Sequence, residues 1–405
     1  MEHQDRQYLM TGDSITLKRV NIKTGKTLVK DSTDFSIISL IGEGGSSVCY
    51  EACCESDGSH GRLKEFYPKD FSEEKQFFAL ERDGENQLAI PNVLNSAREN
   101  FFMAKEEFKE AYCTLARAKN KSYGEVLNNY IPPFELYEGT PNGENQPKTI
   151  YVWTRHDKKV MHFDEYLAEM KKDIETATQP EHHLFNILTA ILTLTKCISA
   201  LHTSDLVHMD IKPSNFGVAI DSAGQIDASN ISLFDINTIY STYSTFIRTA
   251  GTEGFRAPEI TKGKAGNKSD IYSIGATLFN SLVVSDDFDG LYKDEYYDEI
   301  DSFIANSKLI KCSDKNSNSA LHDILVKILK TALAHNPDKR YKGCSYLAQD
   351  LKDARAFLLP AEAKSVLTEL GQDIKIVNVE EYLDKEISSG ATGAIQRLLY
   401  EHPLY

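Results

Sequence analysis

The nine residues 208–216, HMDIKPSNF, place a His, an Asp, a Lys and an Asn at fixed intervals directly after an apolar run. Asp210 and Asn215 are five residues apart, and Asp235 lies 20 residues beyond Asn215 at the end of an apolar segment. Phosphoryl transfer requires an aspartate that orients or deprotonates a hydroxyl, together with an asparagine and a second aspartate for Mg²⁺. Lys212 can neutralise charge on the transferred group. The set favours phosphoryl-transfer chemistry over an ordinary polar turn.

A Gly-rich turn, LIGEGGSSVCY, lies much earlier in the chain and contains Gly42, Gly44 and Gly45. Without Cβ atoms, such a turn between strands lets backbone N–H groups approach phosphate oxygens. A glycine cluster by itself is a weak signal, because most are only tight turns. Lys64 strengthens it, since this lysine lies 22 residues after Gly42 in an apolar stretch of the next predicted strand. There it could hold the α- and β-phosphates of a nucleotide.

A lysine in that role needs a carboxylate to orient it. Residues 93–117 predict a helix, because their apolar side chains recur in alternating steps of three and four. Glu107 flanks this apolar stripe and is the preferred partner of Lys64. Glu110, almost a turn further along, remains the alternative.

The elements that must position these residues divide the chain into a β-rich first part and a mostly helical second part. Alternating patterns and turn residues predict strands or hairpins within residues 15–31, 35–54, 61–68, 77–91 and 149–156. Periodic apolar patterns predict helices at 184–202, 269–283, 320–334 and 345–358.

The composition is that of a soluble globular protein, with 41% hydrophobic and 26% charged residues in a chain of 405. A net charge of −15 argues against a nucleic-acid partner or an anionic membrane surface. The seven cysteines show no metal-ligand spacing and fit reduced thiols. The apolar stretch 184–202 is too polar for a confident membrane span. These observations predict a cytoplasmic protein without a membrane span.

The order of the Gly-rich turn, strand lysine, helix glutamate, HMDIKPSN, FDIN and GTEGFRAPE resembles the eukaryotic-type (Hanks-type) Ser/Thr protein kinase family. The resemblance covers roughly residues 35–357, and the segment LKEFYP resembles bacterial members. It implies an α+β, two-lobed protein-kinase fold, with an N-lobe at about 35–152, a C-lobe at about 157–357 and ATP in the cleft. Residues 1–34 would form a strand or hairpin extension, and residues 358–405 a helical appendage.

The resemblance also implies roles for individual residues. Asp210 would be the catalytic aspartate, assisted by Lys212, Lys64 and Glu107, while Asn215 and Asp235 would hold Mg²⁺, with Mn²⁺ as the alternative. The nucleotide-contacting set would be Gly42, Glu43, Gly44, Gly45, Val48, Lys64, Trp153 and Thr154.

Four further positions match the family pattern. Asp270 corresponds to the helix aspartate that ties down the catalytic-loop backbone, and Glu259 and Arg340 correspond to a buried ion pair. Thr252 corresponds to the threonine that, together with Lys212, marks Ser/Thr kinases.

Three positions depart from the family pattern. Met209 replaces the arginine that pairs with a phosphorylated activation loop in the family, and Asn237 replaces a glycine. Arg62 stands where the family has a small apolar residue over the adenine. The loss of the arginine suggests activity without activation-loop phosphorylation, although residues 238–249 are rich in hydroxyls.

The sequence therefore predicts a Ser/Thr protein kinase that transfers the γ-phosphoryl group of ATP to protein hydroxyls, its own included. A pseudokinase that binds nucleotide as a scaffold is the alternative, and Arg62 is its only support. A small-molecule kinase of related fold is the third reading. Such enzymes typically lack the segment ending in APE and the pairing of Thr252 with Lys212.

Overall fold

The structure, a computed structural model, describes residues 6–68, 81–89, 95–121, 125–140, 148–155, 159–174, 180–220, 226–242, 251–283, 290–310 and 315–358. These residues fall into two compact units. The first contains the chain up to Lys159 together with Ile236–Tyr240, and the second contains Val160–Asp235 and the chain from Ser241 onward.

The first unit is built on a closed six-stranded barrel. Its elements are β1 (Ser14–Asn21), β2 (Lys26–Glu43), β3 (Ser47–Cys54), β4 (Ser59–Phe66), β5 (Glu81–Arg82), β6 (Leu88–Ala89), α1 (Asn95–Lys119), β7 (Phe134–Glu138) and β8 (Ile150–Arg155). The strand order around the barrel is β1-β2-β3-β4-β8-β7, with β1 and β7 closing it and every neighbouring pair antiparallel. Closure removes the exposed sheet edges that would otherwise pair with other chains.

Strand β2 is long enough to pair with both β1 and β3. It runs unbroken across residue 35, so residues 14–34 share one sheet with the strands that flank the Gly-rich turn. Register shifts between Ile37 and Ser39 and between Leu40 and Gly42 mark irregularities in its pairing with β3. Such bulges bend a strand, as barrel closure demands.

Alternating apolar side chains fill the barrel. Phe35, Leu63 and Trp153 are at most 1% exposed, and the Phe35 and Trp153 rings lie with centroids 5.0 Å apart. Helix α1 packs on β4, where the Phe66 ring meets Phe101 and Phe108 at centroid distances of 5.4 and 5.2 Å. The predicted helix and its apolar stripe are therefore confirmed.

The second unit is mostly helical. Its elements are β9 (Val160–His162), α2 (Phe163–Asp173), α3 (Pro180–Thr203), β10 (Leu206–Val207), β11 (Phe216–Ile220), β12 (Ile226–Leu233), α4 (Asn267–Leu282), α5 (Ile300–Ala305), α6 (Lys315–Ala332) and α7 (Cys344–Ala356). A short strand, β13 (Tyr240–Ser241), lies where the two units divide. Three strands of the second unit form one sheet in the order β12-β11-β9.

Helix α3 forms the centre of this unit and contacts α4, α7 and β12. Residues His182–Thr203 are long and apolar enough to cross a membrane, but 72% of the apolar window is buried inside the structure. Most of this helix is therefore buried, as the sequence predicted for residues 184–202. The four helices predicted in this part of the chain are confirmed by α3, α4, α6 and α7.

Some predictions fall outside the described residues. They concern the appendage beyond Leu358, most of the hydroxyl-rich stretch 238–249, and the two ends of the hairpin predicted at 77–91.

Candidate active site

The loop 208–215 follows β10 and is held by a carboxylate of α4. Asp270 accepts hydrogen bonds from the backbone N–H groups of His208 and Met209, each at 2.9 Å. Met209 has a φ of 73°, a left-handed conformation that is costly for a non-glycine residue. The two hydrogen bonds therefore stabilise a backbone turn that its own residues disfavour.

Asp270 carries out this task as a buried anion. Burial alone would raise the pKa of its carboxyl, but the hydrogen bond and charge interaction with His202 outweigh burial, so the pKa is lowered. His202 Nε2 lies 2.9 Å from Asp270 Oδ2, and Cys344 Sγ lies 3.5 Å from His202 Nδ1. The imidazole of His202, on α3, thus contacts α4 through Asp270 and α7 through Cys344.

Asp210 lies at the centre of a network of hydrogen bonds. Thr252 Oγ1 donates to Asp210 Oδ1 at 2.8 Å and accepts from Lys212 Nζ at 2.8 Å. Asn215 Nδ2 donates both to Asp210 Oδ2, at 2.9 Å, and to the Asp210 backbone carbonyl, at 2.7 Å. The structure thus brings together four of the residues that the sequence singled out.

Asn215 and Asp235 flank two paired strands. Asn215 directly precedes β11, and Asp235 follows β12 by two residues. The antiparallel register sets Phe216 opposite Leu233, and the Phe234 N–H donates to the Asn215 carbonyl at 2.8 Å. Two residues distant in sequence are therefore held side by side at one end of a hairpin.

The chemistry of this pair fits a hard cation. Because Asn215 Nδ2 donates to Asp210, the amide oxygen of Asn215 is the side-chain atom left for a metal, and Asp235 could supply a carboxylate. Within the described residues, no group of three or more His, Cys, Asp or Glu could hold a metal ion. An amide and a carboxylate instead fit Mg²⁺, which commonly completes its coordination with water and substrate phosphates.

The ion pair between Glu259 and Arg340 is present and bidentate. Arg340 Nη1 and Nη2 lie 2.7 and 2.8 Å from the two Glu259 carboxylate oxygens, and Ser269 Oγ donates to Oε1 at 2.8 Å. Arg340 is 3% exposed, and its guanidinium lies 4.8 Å from the centroid of the Tyr272 ring. The pair joins the segment after Thr252 to the core of the second unit.

In the first unit, strand register decides which side chains share a face with Lys64. Lys64 is paired with Cys49 on β3 and with Val152 on β8, and directly paired residues lie on the same face of a sheet. Val48 is next to Cys49 and Trp153 is next to Val152, so their side chains lie on the opposite face of the sheet. This face is the barrel interior, where they are 0% and 1% exposed. Their side chains therefore do not lie on the Lys64 face, and the expectation that these two residues contact the nucleotide stays a prediction.

A sequence signal for Cys49 did exist. The pattern G-x-G-x-x-G-x-V, counted from Gly42, ends at position 49 and not at 48. Thr154 is paired with Arg62, two residues before Lys64, so Thr154 and Arg62 do lie on the Lys64 face.

Two glycines of the Gly-rich turn, Gly42 and Gly44, are not required by the packing around them. A Cβ added at Gly42 would meet nothing within 4 Å, and one at Gly44 would meet only the Ser47 carbonyl at 4.0 Å. Neither residue is among the described glycines with positive φ. The absence of side chains at these positions is consistent with the close approach of a ligand.

The structure gives Lys64 a partner that the sequence did not suggest. Lys64 Nζ donates to Asn237 Oδ1 at 2.9 Å, and Asn237 lies in the short 3₁₀ turn Ile236–Thr238. Glu110 is exposed and accepts from Thr114 and Arg117, so the structure does not bring it to Lys64. Glu107 is half-buried on α1, and its pairing with Lys64 remains a prediction.

Comparison with known proteins agrees with this geometry. The sequence profile described as the protein kinase domain matches residues 144–352, just over half of the chain. The chain therefore belongs to the protein kinase family. The matched range includes the loop 208–215, Asp235 and the Glu259–Arg340 pair, and it begins after the Gly-rich turn and Lys64.

Named relatives include bacterial enzymes. The serine/threonine-protein kinase PrkC of Bacillus subtilis is 26% identical over 236 residues, which are 56% of this chain and 34% of that protein. Serine/threonine-protein kinase D of Synechocystis is 23% identical over 221 residues, or 51% of this chain and 38% of that protein. The chain thus spans little more than a third of the length of these relatives.

Solved structures extend the likeness to the fold. A rhoptry kinase from Toxoplasma gondii is 13% identical with a TM-score of 0.52, covering 86% of each chain. The kinase domain of a Toxoplasma gondii rhoptry antigen is 14% identical with a TM-score of 0.53, covering 89% of each chain. The predicted α+β protein-kinase fold is therefore confirmed.

Proposed function

We propose that the protein is a Ser/Thr protein kinase that transfers the γ-phosphoryl group of ATP to hydroxyls of proteins, including its own. The network that joins Lys212, Thr252, Asp210 and Asn215 carries the proposal. Thr252 orients one oxygen of the Asp210 carboxylate and Asn215 orients the other. An aspartate so fixed can hold a substrate hydroxyl for in-line attack.

In this proposal each residue has one role. Asp210 orients the acceptor hydroxyl and accepts its proton as the bond to phosphorus forms. Lys212 stabilises charge on the γ-phosphate, and Lys64 positions the α- and β-phosphates. Asn215 and Asp235 would hold Mg²⁺, with Mn²⁺ as the alternative ion. The bound ion supplies neutralisation of the phosphate charge.

The nucleotide would lie against the Lys64 face and the Gly-rich turn. Gly42, Glu43, Gly44 and Gly45 remain the proposed contacts of the phosphates, and Thr154 remains a proposed contact near the adenine. Glu107 is the proposed carboxylate that orients Lys64 together with Asn237. Cys49 and Val152 join this set, because strand register places them on the same face as Lys64.

We propose further that activity does not require a phosphorylated activation loop. Met209 stands where the resembled family has the arginine that pairs with such a phosphate, and its side chain is 1% exposed. A buried thioether offers no positive charge to a phosphate. Replacing all the hydroxyl side chains of residues 238–249 by alanine or phenylalanine should leave kcat nearly unchanged, and a hundredfold loss would contradict this proposal.

The cysteines support a reducing compartment. Among the described residues, Cys53, Cys54, Cys113, Cys197 and Cys344 form no disulfide. Structural disulfides persist mainly in oxidising compartments. We propose a cytoplasmic location, which fractionation of cells expressing the tagged chain would test.

The decisive experiment is phosphoryl transfer from labelled ATP and Mg²⁺ to the protein itself and to a generic Ser/Thr substrate. The variant Asp210→Ala, assayed in parallel, should lose transfer at least a hundredfold, because general-base assistance is worth about 10²–10⁴. A small-molecule acceptor panel shows whether proteins are the preferred acceptors. Wild type that binds ATP without transferring phosphate, across Mg²⁺ and Mn²⁺, would instead indicate a nucleotide-binding scaffold.

A further inference from the structure

The segment Arg6–Leu9, which precedes β1, is built into the first unit. The Gln7 backbone N–H donates to Tyr67 Oη at 2.9 Å, and the Leu9 N–H donates to Tyr50 Oη at 3.3 Å. Leu9 itself is 2% exposed. The segment therefore has a defined position on the barrel.

A buried ion pair supports the same segment. Arg82 of β5 binds both carboxylate oxygens of the fully buried Glu65, at 3.0 and 2.7 Å. Arg82 Nε also donates to the Gln7 carbonyl at 2.7 Å, and the Arg82 N–H donates to Gln7 Oε1 at 2.9 Å. The backbone that directly follows Arg6 is thus fixed by groups that are themselves held in the first unit.

The Arg6 side chain lies against the Gly-rich turn. Its guanidinium donates to Glu43 Oε2 at 2.9 Å, to the Gly44 carbonyl at 2.9 Å and to the Gly45 carbonyl at 3.1 Å. It also donates to the Tyr67 carbonyl and lies 5.4 Å from the centroid of the Tyr67 ring. The side chain is only 6% exposed, unlike that of a solvated surface arginine.

These contacts orient the backbone donors of the turn. In a planar trans peptide, the C=O of one residue and the N–H of the next point in opposite directions. Because Arg6 binds the carbonyls of Gly44 and Gly45, the N–H groups of Gly45 and Ser46 point away from it. Within the described part of the chain, neither of these two N–H groups has a backbone partner. Successive N–H groups of this kind form a binding site for an anion.

We infer that Arg6 is a positioning residue for the phosphates of the nucleotide. It holds the Gly-rich turn with its free N–H groups outward, so that the turn is organised before the nucleotide binds. The inference rests on the proposed function of this turn. Because Glu43 neutralises the guanidinium, the effect on nucleotide binding is mainly geometric.

Calorimetric titration of the full chain measures the dissociation constants of ATP with Mg²⁺ and of adenosine. Steady-state kinetics of phosphoryl transfer measures KM for ATP and kcat. In Arg6→Ala, the dissociation constant and KM for ATP should rise about tenfold, since several hydrogen bonds to a charged group are lost. The dissociation constant of adenosine and kcat should change less than about twofold, because the hydrogen bonds of Arg6 are with the Gly-rich turn and Tyr67.

Two further variants separate geometry from charge and from general effects. Arg6→Lys keeps the charge but loses the planar fork that spans both carbonyls, so it should behave much like the alanine variant. Arg19→Ala is the matched control, because Arg19 also pairs with a glutamate of the same barrel but is 43% exposed. This control should leave both dissociation constants unchanged. Tyr8→Phe, which removes the hydrogen bond from Tyr8 Oη to Glu43, gives a milder test should Arg6→Ala fail to fold.

The outcomes distinguish this inference from the proposed function. If Arg6→Ala binds ATP as well as wild type, or loses ATP and adenosine equally, Arg6 is not a positioning residue, whatever the transfer assay shows. If wild type binds ATP, Arg6→Ala weakens that binding selectively and no transfer occurs, the inference stands and the kinase proposal fails. Tighter ATP binding by Arg6→Ala would overturn the inference, because it would make Arg6 inhibitory.

Discussion

Lys64 Nζ and Asn237 Oδ1 are joined by a hydrogen bond of 2.9 Å between residues 173 positions apart. Asn237 occupies the position where the resembled family has a glycine, two residues after Asp235. It does not have positive φ, whereas Asp235 does, at 44°. The backbone at this position therefore does not require a glycine, and the asparagine side chain provides an acceptor for Lys64.

Replacing Asn237 by alanine should lower kcat/KM for ATP about tenfold, because a hydrogen bond to a charged donor contributes roughly 1.5–3 kcal/mol. Asn237→Asp keeps an acceptor and should retain most of the activity. Steady-state kinetics over a range of ATP concentrations measures both. The exposed Asn306, which bonds within its own helix end, provides the control Asn306→Ala. Unchanged kinetics in Asn237→Ala would show that the hydrogen bond has no role in nucleotide binding or transfer.

Removing the hydroxyl of Thr252 should lower kcat about tenfold or more while KM for ATP stays within about twofold. The hydroxyl links Lys212 to Asp210, and without it the carboxylate loses one of its two orienting donors. Thr252→Ser keeps the hydroxyl and should retain activity. Single-turnover transfer rates separate this effect from binding. Equal rates for Thr252→Ala and wild type would be incompatible with this role.

The buried pair of Glu259 and Arg340 should contribute to stability in a way that an exposed pair does not. Glu259→Ala leaves the buried guanidinium without its counter-charge and should cost about 3–5 kcal/mol of the free energy of unfolding. The exposed pair of Glu110 and Arg117 supplies the matched control, since Glu110→Ala should cost about 0.5 kcal/mol or less. Urea unfolding followed by circular dichroism measures both. Similar losses in the two variants would rule out this account.

Stability should also fall on mild acidification because of His208. Burial lowers the pKa of its imidazole, so the folded chain keeps it neutral below the usual pKa of about 6.5. In the unfolded chain the same imidazole binds a proton as the pH falls below about 6.5. The contribution of neutral His208 to stability is therefore complete above about pH 6.5 and is lost as the pH falls toward its lowered pKa in the folded chain. The slope can reach about 1.4 kcal/mol per pH unit for one proton.

Urea unfolding of wild type and of His208→Asn measures this effect. The pH series runs from about 8 down to about 5, which spans the usual pKa of histidine. The dependence should be shallower in the variant. The half-exposed His335 provides the variant His335→Asn, which shows the general effect of replacing a histidine by asparagine. An identical slope in His208→Asn would mean that another group is responsible.

Much of the second unit could be predicted because its signals are local in sequence. Helices α3, α4, α6 and α7 follow from apolar periodicity, which depends on neighbours three and four residues apart. The spacing between Asp210 and Asn215 is that of one short loop, so their types alone indicated a shared site. Asp235 follows an apolar strand that pairs with its sequence neighbour β11, and this connection is also short.

The first unit shows what the sequence alone could not decide. Whether Val48 or Cys49 lies on the Lys64 face depends on hydrogen-bond register, and a shift of one residue moves every side chain to the opposite face. Lys64 bonds Asn237 and Gly44 bonds Arg6, and no periodic pattern in the sequence connects these residues. The sequence by itself thus determined the family, the helices and the loop that carries the catalytic aspartate. Only the tertiary structure decided which distant side chains meet, because long-range pairing is set by packing and register and not by local spacing.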